Sequence, residues 1–395
     1  MLAGTPSSAL ASSPAATTEA ATEVGIDTAT LNASVNPEGL ETTYRFEYGE
    51  TTSYGTNVPV PDKSIGSGKS AVKVAETVGA LTSGTTYHFR IAASNSGGTS
   101  YGADKTLTTE VDPRFSFAFG EKGTGNGQFE EPYGIAIDSS GNLWVTDYVN
   151  DRVQKFNSKG EYLSKLGTKG TGNGQFEGPW GIAIDSSGNL WVVDALNNRV
   201  QKFNSKGEYL SKLGTKGTGN GQFEFPTGIA FDSSGNLWVV DHNNDRVQEF
   251  NSKGEYLSKF GSYGEGNGQF EGPYSIAIDS SGNLWVTDYG NANRRVEEFN
   301  SKGEYLSKFG SYGTGNGQFV TPAGIAIDSS GNLWVADYSD RVQEFNSKGE
   351  YLSKFGTKGT GNGQFLAPWG IAFDSSGNPW VVDTLNYRVQ KWVLK

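Results

Sequence analysis

Cysteine is absent from the 395 residues; histidine occurs twice and methionine once. The missing thiols exclude disulfides, iron–sulfur clusters, cysteine nucleophiles and cysteine-based zinc sites. They leave the compartment open. Charged residues make up only 19 % of the chain, and 32 Lys and Arg face 43 Asp and Glu, for a net charge of −11. Contact with nucleic-acid phosphates needs clustered Lys and Arg, so no nucleic-acid partner is expected. No apolar run is long enough to cross a bilayer, so no membrane span is expected. The opening MLAGTPSSALASSPAATTEA lacks the basic and apolar parts of a secretory signal and reads as a disordered leader or linker over residues 1–15.

Glycine is abundant, at 55 residues, and aromatics make up 12 %. That composition fits short strands joined by tight turns, an all-β protein. The string GNGQF recurs six times, ending at Phe129, Phe176, Phe223, Phe270, Phe319 and Phe365. In the second copy four strand-like pieces follow it, GIAID, NLWVVD, RVQKF and EYLSKLG, called a to d below. The joins DSSGN and NSKGE carry the polar and glycine residues of hairpin turns. One such unit cannot bury both of its faces, and stacking neighbours into a closed ring solves this. The sixth copy stops after strand c at RVQKWVLK, whereas RFSFAFG precedes the first GNGQF, Gly120 aligning with Gly167. Phe115 to Phe119 is therefore expected to supply the outer strand of the last blade.

The pattern GNGQF, P-x-GIAID, GNLWVVD and NRVQKF resembles the NHL-repeat family of six-bladed β-propellers over residues 114–395. That resemblance implies the fold but spreads over many functions, among them RNA binding, protein interaction and a few lyases. Residues 16–110 have another texture. Leu81 to Tyr87, LTSGTTY, resembles the tyrosine corner of fibronectin type III sandwiches, and Tyr44, Phe46 and Tyr48 alternate as one face of a strand does. The early-strand Trp of that family is missing, since all nine Trp lie beyond residue 113. The expected organisation is an immunoglobulin or fibronectin type III-like sandwich over 16–110, a short linker near 110–113 and a six-bladed propeller over 114–395. Such sandwiches imply a secreted or cell-surface setting.

The copies differ from one another at one end only. The turns DSSGN and NSKGE are invariant, whereas the d–a and b–c loops vary in sequence, and the b–c loops also in length. Variable loops on a rigid scaffold are where function gathers. After the loop prolines stand Tyr133, Trp180, Tyr274 and Trp369; after the strand-b Asp stand Tyr148, His242, Tyr289 and Tyr338. These eight are expected to ring the channel mouth and bind a protein or glycan ligand; the Pro-adjacent four serve equally well as packing between blades.

Each strand-b Asp (Asp147, Asp194, Asp241, Asp288, Asp337 and Asp383) precedes an Arg by four to seven residues, which fits a structural brace repeated in every blade. The strand-b Trp residues, Trp144 to Trp380, read as core between blades. His88 falls in the sandwich, so one propeller histidine remains, too few for the zinc site of NHL-fold lyases. The expectation is a monomeric, non-catalytic binding protein with no cofactor and no metal. The alternative is a calcium-dependent, gluconolactonase-like hydrolase or lyase with its site in the channel, with RNA binding less favoured.

Overall fold

The computed structural model describes residues 11–109, 113–290 and 293–394, and the chain divides into two compact units at residues 112 and 113. Every strand expected from the repeat is present, and no helix is longer than a single 3₁₀ turn among the described residues. Accordingly, no helix there is long and apolar enough to cross a membrane.

The first unit is two antiparallel sheets. Ala15–Thr18, Ala29–Asn36 and Val72–Val78 form one. Thr42–Gly49, Thr56–Gly66, Thr86–Asn95, Gly98–Tyr101 and Lys105–Thr108 form the other. Alternate residues of Ala29–Asn36 are buried, as one-faced strands require. The core gathers Leu31, Val35, Tyr44, Phe46, Phe89 and Ile91, with Tyr48 packed against it. The Tyr87 hydroxyl accepts a hydrogen bond from Thr82 N at 3.0 Å, tying the strand entry to the preceding backbone. Of the expected leader, residues 1–10 lie outside the described residues and Ala15 already pairs with Asn36. The expected linker lies, up to residue 112, outside them as well.

The second unit consists of six four-stranded antiparallel sheets in the order a-b-c-d. In the first these are Pro132–Ile137, Leu143–Asp147, Arg152–Phe156 and Tyr162–Leu166. The sixth joins Pro368–Phe373, Pro379–Asp383 and Arg388–Val393 to Arg114–Phe119, which pairs antiparallel to the C-terminal strand. The outer edge of the last sheet thus comes from upstream of the first. Each strand a packs against strand a of the next sheet, and that of the sixth packs against that of the first, closing a propeller ring.

The joints between sheets are apolar. Trp144 of the first sheet packs on Phe176, Ile182, Leu190 and Val192 of the second, and Trp380 of the sixth packs on Phe129, Leu143, Val145 and Phe156 of the first. Burying an indole of this size contributes roughly 4 kcal/mol. Around the ring the strand-b Asp and its Arg brace the GNGQF loop, both buried in the first five sheets and Arg388 half-buried in the sixth. Arg152 Nε donates to Asp147 Oδ2 at 2.7 Å, while its other nitrogens donate to the carbonyls of Thr124, Gly125 and Gln128 at 2.7–2.8 Å. Asp147 Oδ1 accepts from Glu130 N at 2.8 Å.

Candidate functional site

The d–a and b–c loops come together at one end of the ring. There the eight aromatic and histidine residues singled out above meet in one connected cluster rather than standing apart. Tyr133 stacks on Trp180 at 4.0 Å between ring centroids, and Trp369 meets Tyr133, Trp180 and Tyr274 at 5.2, 5.7 and 5.0 Å. These four Pro-adjacent rings close over the axial channel. Below them the channel holds about 140 Å³ between Gly134, Ile135 and their equivalents. Burial pushes the Tyr133 and Tyr274 hydroxyls well above their ordinary pKa.

The second set stands outside this plug. Tyr148 packs edge-on against Tyr133 and Trp180, and Tyr338, the most exposed of the eight, lies edge-on to Trp369 at 6.4 Å. His242 and Tyr289 stack at 5.8 Å, with Tyr274 4.6 Å from the imidazole. The sequence reading passed over Phe225, which bridges Trp180 and His242 from the third d–a loop at 5.4 and 5.8 Å. Its signal was plain: EFPTG carries an aromatic before the proline where the other copies do not.

Between the third and fourth sheets His242, Asn243, Asp245, Glu271, Gly272 and Tyr289 border a cleft of about 310 Å³. His242 opens a 3₁₀ turn, His242–Asn244, directly after the strand-b Asp241. Its Nδ1 lies 2.9 Å from the Pro273 carbonyl oxygen. A carbonyl only accepts, so Nδ1 carries the proton and Nε2 the free lone pair. Burial lowers the imidazole pKa below its ordinary value, so the ring is neutral at pH 7. A larger cavity, about 640 Å³, lies at the DSSGN end between the first and second sheets. Its turn residues recur in every sheet, so they give that joint no individuality.

The residues present do not fit a resident calcium ion in the channel. Among the described residues no group of three or more His, Asp or Glu converges as metal ligands. The strand-b carboxylates are already occupied by Arg, Asn and backbone N–H groups.

The profile of the virginiamycin B lyase family matches residues 126–345, more than half of the chain. A catalytically inactive histidine-to-alanine variant of virginiamycin B lyase from Staphylococcus aureus, with quinupristin, is similar in fold. It is 17 % identical with a TM-score of 0.50, and the match covers 72 % of this chain and 100 % of that one. A protein provisionally named gluconolactonase is similar at 15 % identity and a TM-score of 0.52, covering 72 % and 93 %. Protein lin-41 of Caenorhabditis elegans is 43 % identical over 47 residues, 12 % of this chain; the match spans only 4 % of that relative's length. The lyase profile overturns the expectation of a non-catalytic protein. That expectation discounted a single histidine because one imidazole cannot hold zinc, yet one imidazole suffices for proton transfer.

Proposed function

The chain belongs to the virginiamycin B lyase family, and on that premise we propose that it is an enzyme breaking a bond by proton abstraction, with His242 as general base in the cleft between the third and fourth sheets. The observation that carries this reading is the hydrogen bond from His242 Nδ1 to the Pro273 carbonyl. It fixes the tautomer from the side away from the lone pair, as second partners of working histidines do. A neutral ring with its basic nitrogen uncommitted is the state a base requires at pH 7. The Tyr289 ring stacked on the imidazole and the neighbouring aromatic plug offer flat apolar walls for a substrate.

The six sheets are, in this reading, the blades of an NHL-type propeller, supported by the repeat and the closed packing of its inner strands. The first unit is a fibronectin type III-like spacer, supported by the Tyr87 hydroxyl bond. An extracellular setting belongs to the same reading.

Incubation with virginiamycin B or quinupristin, followed by mass spectrometry, tests the proposal. An elimination leaves the substrate's atoms unchanged in total, whereas hydrolysis adds a water. The expected result is conversion without water, slowed about a hundredfold or more by His242→Ala. A folded wild-type protein that converts neither compound, or a variant as fast as wild type, contradicts it.

A further inference from the structure

Each joint repeats one pairing at the variable end of the ring. The b–c loop residue just before the strand-c Arg holds a left-handed φ in every sheet: +52° at Asp151, +54° at Asn198, +49° at Asp245, +40° at Arg294, +67° at Asp340 and +54° at Tyr387. Its counterpart stands seven residues before the next GNGQF phenylalanine. At the first and fifth joints that counterpart is a lysine in an ion pair: Lys169 Nζ lies 3.8 Å from Asp151, and Lys358 Nζ 3.7 Å from Asp340. At the fourth, Arg294 lies over the Tyr312 ring at 5.2 Å, and at the closing joint Lys122 lies over Tyr387 at 5.0 Å. At the second, the loop residue is the uncharged Asn198, and Lys216 turns to Glu224 at 4.0 Å.

Five joints therefore place a cation at one of these two positions. The third does not: Asp245 is matched in sequence to Tyr263, whose ring is 70 % exposed. No Lys or Arg of the described residues pairs with Asp245, whose Oδ1 accepts only from Gly272 N at 3.0 Å. This same joint holds the 310 Å³ cleft, and its described walls carry Glu271, the neutral His242 and the Tyr289 ring but no lysine or arginine. An anion and an aromatic face without a cation are left where every other joint supplies one.

We propose that the third joint takes its cation from the ligand, and that the molecule this protein acts on carries a guanidinium or alkylammonium group seated between Asp245 and the rings of Tyr263 and Tyr289. The proposal rests on the reading of this cleft as the reaction site and names its substrate class. The seat would combine the two contacts used elsewhere in the ring, the ion pair of Asp151 with Lys169 and the cation–π contact of Arg294 with Tyr312. An exposed ion pair is weak alone; the contact with a ring face adds to it.

Titration of the full chain with N-acetyl-arginine amide and its uncharged counterpart N-acetyl-citrulline amide, at equal salt, tests this by calorimetry or NMR. The arginine probe should bind at least tenfold more tightly. That preference should vanish in Asp245→Asn and in Tyr263→Lys, which provides an internal cation as Lys169 does. Both changes copy residues the ring already uses: Asn198 Oδ1 accepts from Phe225 N at 2.9 Å as Asp245 does from Gly272 N. Equal binding of the two probes by wild type, or a preference that survives either substitution, overturns the proposal. The titrations need no turnover. Unchanged turnover in His242→Ala would remove His242 as the base and leave the cation preference standing; His242-dependent turnover without the preference would remove the cation alone.

Discussion

Asp288 Oδ2 stands 3.6 Å from Arg295 Nε, whereas the same pair is at 2.7 Å in the first three sheets, 3.3 Å in the fifth and 2.8 Å in the sixth. Two residues further on the fourth sheet differs again. Five sheets carry a Gln in strand c whose Nε2 donates to the backbone oxygen of the GNGQF Gln, as Gln154 does to Gln128 O at 2.7 Å. The fourth sheet has Glu297, which when ionised has no proton to donate. Its Oε2 and the Arg295 Nε are both buried without a hydrogen-bond partner. The brace of the fourth sheet, the one leading into Tyr289, thus combines the longest Asp–Arg pair with a missing Gln donor.

This arrangement makes stability depend on pH. Burial raises the Glu297 carboxyl to about 7 and that of Asp288 to about 6, above their ordinary values of 4.5 and 3.8. Arg295 on the same strand and Lys308 on strand d oppose the shift at Glu297, while Asp288 adds to it; Asp245 adds to that at Asp288. The folded protein then holds protons that the unfolded chain releases. The stability these groups contribute is complete below the unfolded values and is lost as pH rises through 6 and 7. Glu297→Gln should restore the brace. Its melting temperature should exceed that of wild type by several degrees at pH 8, and the gap should close towards pH 5. Parallel thermal scans check this; a constant gap contradicts it.

Closure of the ring is testable at its aromatic clasp. Phe119 lies 4.7 Å from Phe156 of the first sheet, and Phe117 meets Trp380 edge-on at 5.6 Å. Truncating Phe119 to Ala should cost about 3 kcal/mol, read from urea unfolding. An unchanged midpoint would mean that Arg114–Phe119 does not hold the ring.

The buried brace gives a second stability prediction. Arg199→Ala removes the charged partner of Asp194 Oδ2, 2.7 Å away, and leaves the Thr171 carbonyl without its donor. A buried charge stripped of its partner costs about 3–5 kcal/mol. Chemical denaturation should show a loss of that size. Replacement of the exposed Lys206 in the neighbouring turn should change stability by less than about 0.5 kcal/mol.

The strands were legible because six copies of one pattern reinforce each other. In the second sheet GIAID, NLWVVD, RVQKF and EYLSKLG fall on Pro179–Ile184, Leu190–Asp194, Arg199–Phe203 and Tyr209–Leu213. The closing strand was legible from the same alignment. The arrangement of the site was not. The spacing of Tyr133, Trp180, Tyr274 and Trp369 places them at one end, but whether such rings stand open or stack depends on how closely the innermost strands approach, which no single copy encodes. The loss of a cation at the third joint was visible as SYG in place of TKG, yet it gains meaning only once Lys169 is seen to face Asp151. The expectation of no enzyme, overturned by the lyase profile, was formed without a contact that leaves no local signature: His242 meets the Pro273 carbonyl, thirty-one residues away in sequence.

The most direct measurement is the pH dependence of kcat/KM for quinupristin in wild type and His242→Ala. A buried neutral imidazole acting as base predicts a rate that rises with pH to a plateau, with its midpoint below the ordinary imidazole value of 6.5. The variant should lose that limb along with most of its rate. A wild-type profile flat from pH 5 to 8, or the same limb retained in the variant, would show that His242 does not move the proton.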